Sequence, residues 1–125
     1  MKREELSRQI ICGFYNVYNK LGYGFLENVY EKALLIELQK GDIAVERQHA
    51  IKVMYEGHVV GEYFADLLIE NKIILEIKAT KHIAPEHEAQ LLNYLKATEM
   101  EIGLLLNFGP RPEIKRKVFD NKIEI

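Results

Sequence analysis

Glu62-Tyr63-Phe64-Ala65-Asp66-Leu67-Leu68-Ile69, then Glu70-Asn71-Lys72, then Ile73-Ile74-Leu75-Glu76-Ile77-Lys78 decides the fold of this chain. Two apolar, β-branched runs flank a short polar segment, the pattern of a hairpin. Asp66, Glu76 and Lys78 interrupt strands that are otherwise apolar. Charges enter buried strands when they are paired, metal-bound or functional. Side chains alternate faces along a strand, so loop length fixes which charges meet. A connection of three residues places Asp66 opposite Glu76 and Phe64 opposite Lys78. Asp66, Glu76 and Lys78 then share one face. Ala65, Leu67, Ile69, Ile73, Leu75 and Ile77 share the other, as a continuous apolar surface for helices. A two-residue loop would separate the carboxylates, and the odd-length loop is expected. Facing carboxylates repel unless a cation lies between them, and oxygen ligands suit Mg²⁺ or Mn²⁺. The structural alternative is a solvated face on which Lys78 pairs with either acid.

The remaining elements follow from periodicity. Leu6, Ile10, Phe14 and Val17 mark a helix over residues 3–20, ended by Leu21-Gly22-Tyr23-Gly24. A second helix is predicted over 26–40, with Val29, Ala33, Leu34 and Leu38 inward. Two strand-like runs, 43–46 and 50–55, come next, then a turn at Glu56-Gly57-His58. Pro85, Glu86 and Glu88 open a helix running to about residue 98. Ile102-Gly103-Leu104-Leu105-Leu106 reads as a strand covered on both faces. Residues 114–119 fit an edge strand or a short helix. The strand at 73–78, this third helix and the strand at 102–107 form a β-α-β unit with parallel strands. The expected architecture is α/β: a single domain over 1–125, with a mixed sheet flanked by helices on both faces.

Composition bounds the function. A chain of 125 residues, 48% apolar and of net charge −2, is an ordinary globular domain without a global pull toward nucleic acid. A single cysteine, Cys12, excludes an internal disulfide, and its apolar helical setting predicts burial. The histidines lack zinc-like spacing, and neither a P-loop nor a dinucleotide-binding glycine motif occurs. The charged Lys2-Arg3-Glu4-Glu5 opening and the lack of any long apolar run predict no signal peptide, no membrane span and a cytoplasmic location. Glu27, Tyr30 and Glu31 share a helix face, from which Glu27 is the candidate to complete a cation's ligand set and Glu31 is expected to be solvated. Gln90 and Tyr94 also face one way and can hydrogen-bond phosphate oxygens, while Leu91, Leu92 and Leu95 face the core. Each of these spacings also occurs on ordinary helix surfaces.

Taken in order, Asp66 followed by Glu76-Ile77-Lys78 resembles the PD-(D/E)XK nuclease signature, with Ala65 in place of the usual proline. Gln90-Leu91-Leu92-Asn93-Tyr94 is similar to the Q-x-x-x-Y motif of the exonuclease-like branch. Gly24-Phe25-Leu26-Glu27-Asn28-Val29-Tyr30 resembles the G-x-x-E-x-x-Y motif naming a small family of this fold, and Glu46-Arg47-Gln48 and residues 103–108 look like further blocks of it. The resemblance implies a restriction-endonuclease-like core and a Mg²⁺- or Mn²⁺-dependent nuclease acting on DNA. It implies that Asp66, Glu76 and the Ile77 carbonyl hold the cation, with Glu27 joining through water or at a second ion. Lys78 would orient the attacking water, and Gln90 and Tyr94 would position the scissile phosphate or Lys78. Without metal, Lys78 is expected to bridge the two acids. Lys81, Arg111, Lys115, Arg116 and Lys117 are candidate sources of local positive charge. The alternative is a catalytically inactive nuclease-fold module binding nucleic acid or a protein. A homodimer is expected if both strands of a duplex are cut, and the acidic net charge is also consistent with an enzyme recruited by a partner protein.

Overall fold

The computed structural model describes residues 3–120, so both ends of the expected 1–125 span lie outside the described residues. Eight elements follow one another: α1 (Arg3–Leu21), α2 (Glu27–Gln39), β1 (Val45–Tyr55), β2 (His58–Ile69), β3 (Ile73–Lys78), α3 (Pro85–Lys96), β4 (Ile102–Phe108) and β5 (Pro112–Val118). The five strands form one sheet in the order β1-β2-β3-β4-β5. Only β3 and β4 are parallel, joined through α3; the other neighbours are antiparallel. Residues 112–118 thus settle as an edge strand. The two runs expected at 43–46 and 50–55 are one strand, β1, paired along its length with a long β2.

One cluster packs α1 and α2 on the sheet: Leu6, Ile10, Phe14, Tyr30, Leu34 and Leu38 meet Leu67, Ile69, Ile73, Leu75 and Ile77. The other packs α3 on the opposite face, with Leu91, Tyr94 and Leu95 against Ile51, Ala65, Leu68, Ile74 and Leu105. The Gly103 position is why α3 lies so close to β4: a Cβ there would meet Leu91 Cδ1 at 2.6 Å. Every residue of β4 is buried, as a strand covered on both faces must be.

Three expectations need correcting. Ala65 does not continue the apolar surface of Leu67 and Ile69; it packs with the α3-side cluster, so the alternation breaks between them, at Asp66. Cys12 is exposed, because it lies outside the α1 stripe of Leu6, Ile10, Phe14 and Val17 that enters the core. Val29 is exposed too, the inward face of α2 being carried by Tyr30, Glu31, Leu34 and Leu38. Among the described residues no helix is long and apolar enough to cross a membrane.

Candidate active site

The β2–β3 hairpin closes through Glu70, Asn71 and Lys72, with Glu70 and Asn71 at φ 52° and 55°. The three-residue loop sets the register Ile69–Ile73, Leu68–Ile74 and Leu67–Leu75, so Asp66 and Glu76 come next, abreast of one another. There the ladder ends. β2 continues beside β1 and β3 beside β4, and the sheet forks. Phe64 and Lys78, expected to pair, lie beyond the fork and outside the ladder.

The two carboxylates fill the opening reciprocally. The Asp66 backbone N–H donates to Glu76 Oε2 at 2.8 Å, and the Ile77 N–H donates to Asp66 Oδ2 at 2.7 Å. Backbone donors that lose their strand partner must find another acceptor, and here each acid supplies one. Lys78 therefore does not bridge the acids as expected: among the described residues it forms no ion pair with either. Its charge still acts on both, drawing their pKa values down. The strand carrying it is anchored by the buried Asn107, which receives the Thr80 N–H at 2.9 Å and donates to the Thr80 carbonyl at 3.0 Å.

Burial dominates the electrostatics. Desolvation, and then the neighbouring Asp66 charge, push the Glu76 carboxyl up to about 8. Asp66 is also raised, by desolvation above all, against the lowering effect of the Ile77 hydrogen bond; Glu31 and Glu27 add repulsion. Tyr94, buried on α3, is pushed up to about 12 by desolvation and by the charges of Glu76 and Asp66, which places its hydroxyl within electrostatic reach of the fork. Gln90 is half-buried one turn earlier. Gln90 and Tyr94 line one groove beside α3, although Tyr94 also packs with Leu91 and Leu95 in the core.

Glu27 is exposed at the first position of α2. It is positioned by Tyr30, whose ring stacks on Phe108 at 4.2 Å. The Tyr30 hydroxyl donates to the Gly22 carbonyl at 2.7 Å and receives the Phe25 N–H at 3.2 Å. The loop before Glu27, with Gly22 and Gly24 at φ 69° and 113°, is thereby tied to the core. Among the described residues no three His, Cys, Asp or Glu side chains converge closely enough to hold a metal. The fork brings two carboxylates together, one oxygen of each engaged by a backbone N–H. A buried and a half-buried acid that resist joint ionisation suit a hard divalent cation, whose charge offsets their repulsion.

Sequence reasoning missed a third acid. Glu31, expected in solvent, is 5% exposed. Arg47 donates to its Oε2 through Nε at 3.0 Å and Nη2 at 2.7 Å, and Gln48 Nε2 donates to Oε1 at 3.1 Å. Neighbouring strand residues normally point to opposite faces. Gln48 reaches the same partner as Arg47 because its φ is 52°, in the left-handed region. That distortion lies opposite Asp66: the β1–β2 pairs run from Arg47–Leu67 to His49–Ala65 and skip both residues between. The signal in the sequence was Glu31 at three and seven residues before Leu34 and Leu38, on the buried stripe.

A family model described as the PD-(D/E)XK nuclease superfamily matches residues 4–117. The chain belongs to the PD-(D/E)XK nuclease superfamily. Nucleases of this superfamily generally use divalent metals. No curated protein sequence matches the chain. Among solved structures, the crystal structure of SSO0001 is similar with a TM-score of 0.59 and 24% identity over 74% of this chain and 50% of that one. That likeness is one of fold, and the chain spans half the length of SSO0001. Hjc of Archaeoglobus fulgidus, a Holliday junction resolvase, is similar with a TM-score of 0.43 and 20% identity, over 71% of this chain and 72% of that one.

Proposed function

We propose that this PD-(D/E)XK chain is a divalent-metal-dependent nuclease that hydrolyses phosphodiester bonds of DNA. The observation that carries the reading is the fork, where Asp66 and Glu76 are locked by reciprocal backbone hydrogen bonds and buried enough to lift Glu76 to about 8. Asp66, Glu76 and the Ile77 carbonyl would hold Mg²⁺ or Mn²⁺, with Glu27 reaching it through water. The cation, when bound, polarises a phosphodiester oxygen and lowers the pKa of a water. Lys78, on the strand pinned by Asn107 and with no ion pair among the described residues, orients the attacking water and balances charge developing on the phosphate. Gln90 presents an amide and Tyr94 a hydroxyl toward phosphate oxygens. Tyr94 keeps its proton at neutral pH, held by desolvation and by the charges of the acids, and so acts as a donor. The G-x-x-E-x-x-Y pattern supports the same reading in a specific way: Tyr30 holds the loop from which Glu27 starts.

Incubation with single- and double-stranded DNA and Mg²⁺ or Mn²⁺ tests this. Cleavage should appear in wild type and vanish in Asp66→Asn and Lys78→Ala. Cleavage surviving both substitutions refutes it. A second reading, a nucleic-acid-binding module without turnover, is favoured because, among the described residues, no third acid converges on the two carboxylates of the fork; metal binding without cleavage is its signature.

A further inference from the structure

The distal β1–β2 hairpin and α3 enclose a groove of about 910 Å³, lined by Lys52, Met54 and Tyr63 from the hairpin and by Gln90, Tyr94 and Lys96 from α3. Tyr63 pairs across the strands with the buried Ile51, so it stands on the α3 side of the sheet. Its ring is 46% exposed and rests against Tyr94 at 5.6 Å between centroids. Tyr94 is buried beneath it and fixes its orientation. The groove therefore offers a pre-positioned aromatic face, a flexible thioether, the Lys96 cation and two amides, Gln90 and Asn93. Glu86, at the α3 entrance, is the single acid among its lining residues. Tyr94 is shared between the groove and the surroundings of the fork, where the charges of Glu76 and Asp66 act on its hydroxyl.

We propose that this groove binds one unpaired nucleic-acid strand, stacking a base on Tyr63 and holding a flanking phosphate with Lys96. This rests on the nuclease reading for its consequence, which is that the site prefers single-stranded or splayed substrates. The physical reason is that base faces in a duplex are covered by their neighbours, so an aromatic side chain stacks only on a base that has left the helix. The low net charge of the chain fits an interface in which stacking supplements a few phosphate contacts.

The test is fluorescence anisotropy with a short labelled oligothymidylate and the corresponding duplex, in EDTA so that nothing is cut. Wild type should bind the single strand at least several-fold more tightly than the duplex. Tyr63→Ala should lose roughly ten-fold or more of that affinity, and Tyr63→Phe should retain it. Lys96→Ala should lower the slope of log affinity against log salt by about 0.7. Circular dichroism of Tyr63→Leu, which keeps apolar bulk, separates lost stacking from lost folding; a folded variant with weak binding is the expected result. Equal affinity for strand and duplex, or an unchanged Tyr63→Ala, overturns the inference while leaving cleavage by the fork intact. Tight, Tyr63-dependent binding by a wild type that cuts nothing supports the groove and refutes the nuclease. A Tyr63→Ala change that splits a dimer without altering oligothymidylate affinity overturns it, assigning the hairpin to self-association.

Discussion

Substituting Glu76→Gln should stabilise the metal-free protein, by an amount that grows with pH. Glu76 titrates near 8 in the folded chain against 4.5 unfolded. Below pH 4.5 the carboxyl is neutral in both states and costs nothing. Between 4.5 and 8 the unfolded chain gives up a proton that the folded chain keeps, so stability falls as pH rises. Above 8 the cost is fully present, on the order of 5 kcal/mol as an upper figure, since water entering the fork and relaxation around it reduce it. Glutamine has nearly the same shape and its carbonyl can accept the Asp66 N–H that Glu76 now receives at 2.8 Å, so the substitution removes the charge and keeps the bond. Urea unfolding in EDTA at several pH values measures this. With slopes of about 1–3 kcal/mol per molar urea, the Gln variant should gain on the order of 1–3 M in midpoint at pH 9 and almost nothing at pH 4.5. Some pH dependence should persist in the variant, because burial also raises Asp66. A variant less stable than wild type at pH 9, or a difference that does not change with pH, would refute the reasoning.

Three further outcomes are expected. Millimolar Mg²⁺ or Mn²⁺ should raise the wild-type midpoint at pH 8, by about 3 kcal/mol at a hundred-fold excess over the dissociation constant, and should leave Asp66→Asn unmoved in the same titration. Arg47→Ala should cost about 1–3 kcal/mol in thermal or urea unfolding, because it leaves the buried Glu31 with Gln48 as its hydrogen-bond partner among the described residues; Arg47→Ala combined with Glu31→Gln should recover part of that loss. Gly103→Ala should destabilise by about 1–3 kcal/mol, since its Cβ meets Leu91 at 2.6 Å, and Leu91→Ala in the same chain should relieve the clash.

Much of the fold was legible because local chemistry and long-range packing agree. Asn71 and Glu70 tolerate the positive φ that a three-residue loop requires, and the odd loop then carries Asp66 to Glu76. The unbroken apolar run of β4 reported a strand buried on both faces before any packing was known. What remained hidden depends on partners distant in sequence or on broken periodicity. Strict alternation assigned Ala65 to the wrong face, because the fork at Asp66 interrupts the strand that carries it. Glu31 looked solvated beside Lys32, yet Arg47 and Gln48 meet it from β1, and one of them does so through a backbone conformation that no strand pattern predicts. Lys78 was expected to bridge the acids by simple charge attraction. Two backbone amides, freed where the strands part, take one oxygen of each acid instead.

Diffraction from crystals grown with MnCl₂, recorded for anomalous scattering, puts the whole account at risk in one map. A manganese peak bonded to the carboxylates of both Asp66 and Glu76 and to the Ile77 carbonyl, and missing from Asp66→Asn crystals, is the expected result. Saturating manganese with no peak at the fork, or a peak held by one carboxylate away from it, would contradict the claim that these strands part in order to hold a cation.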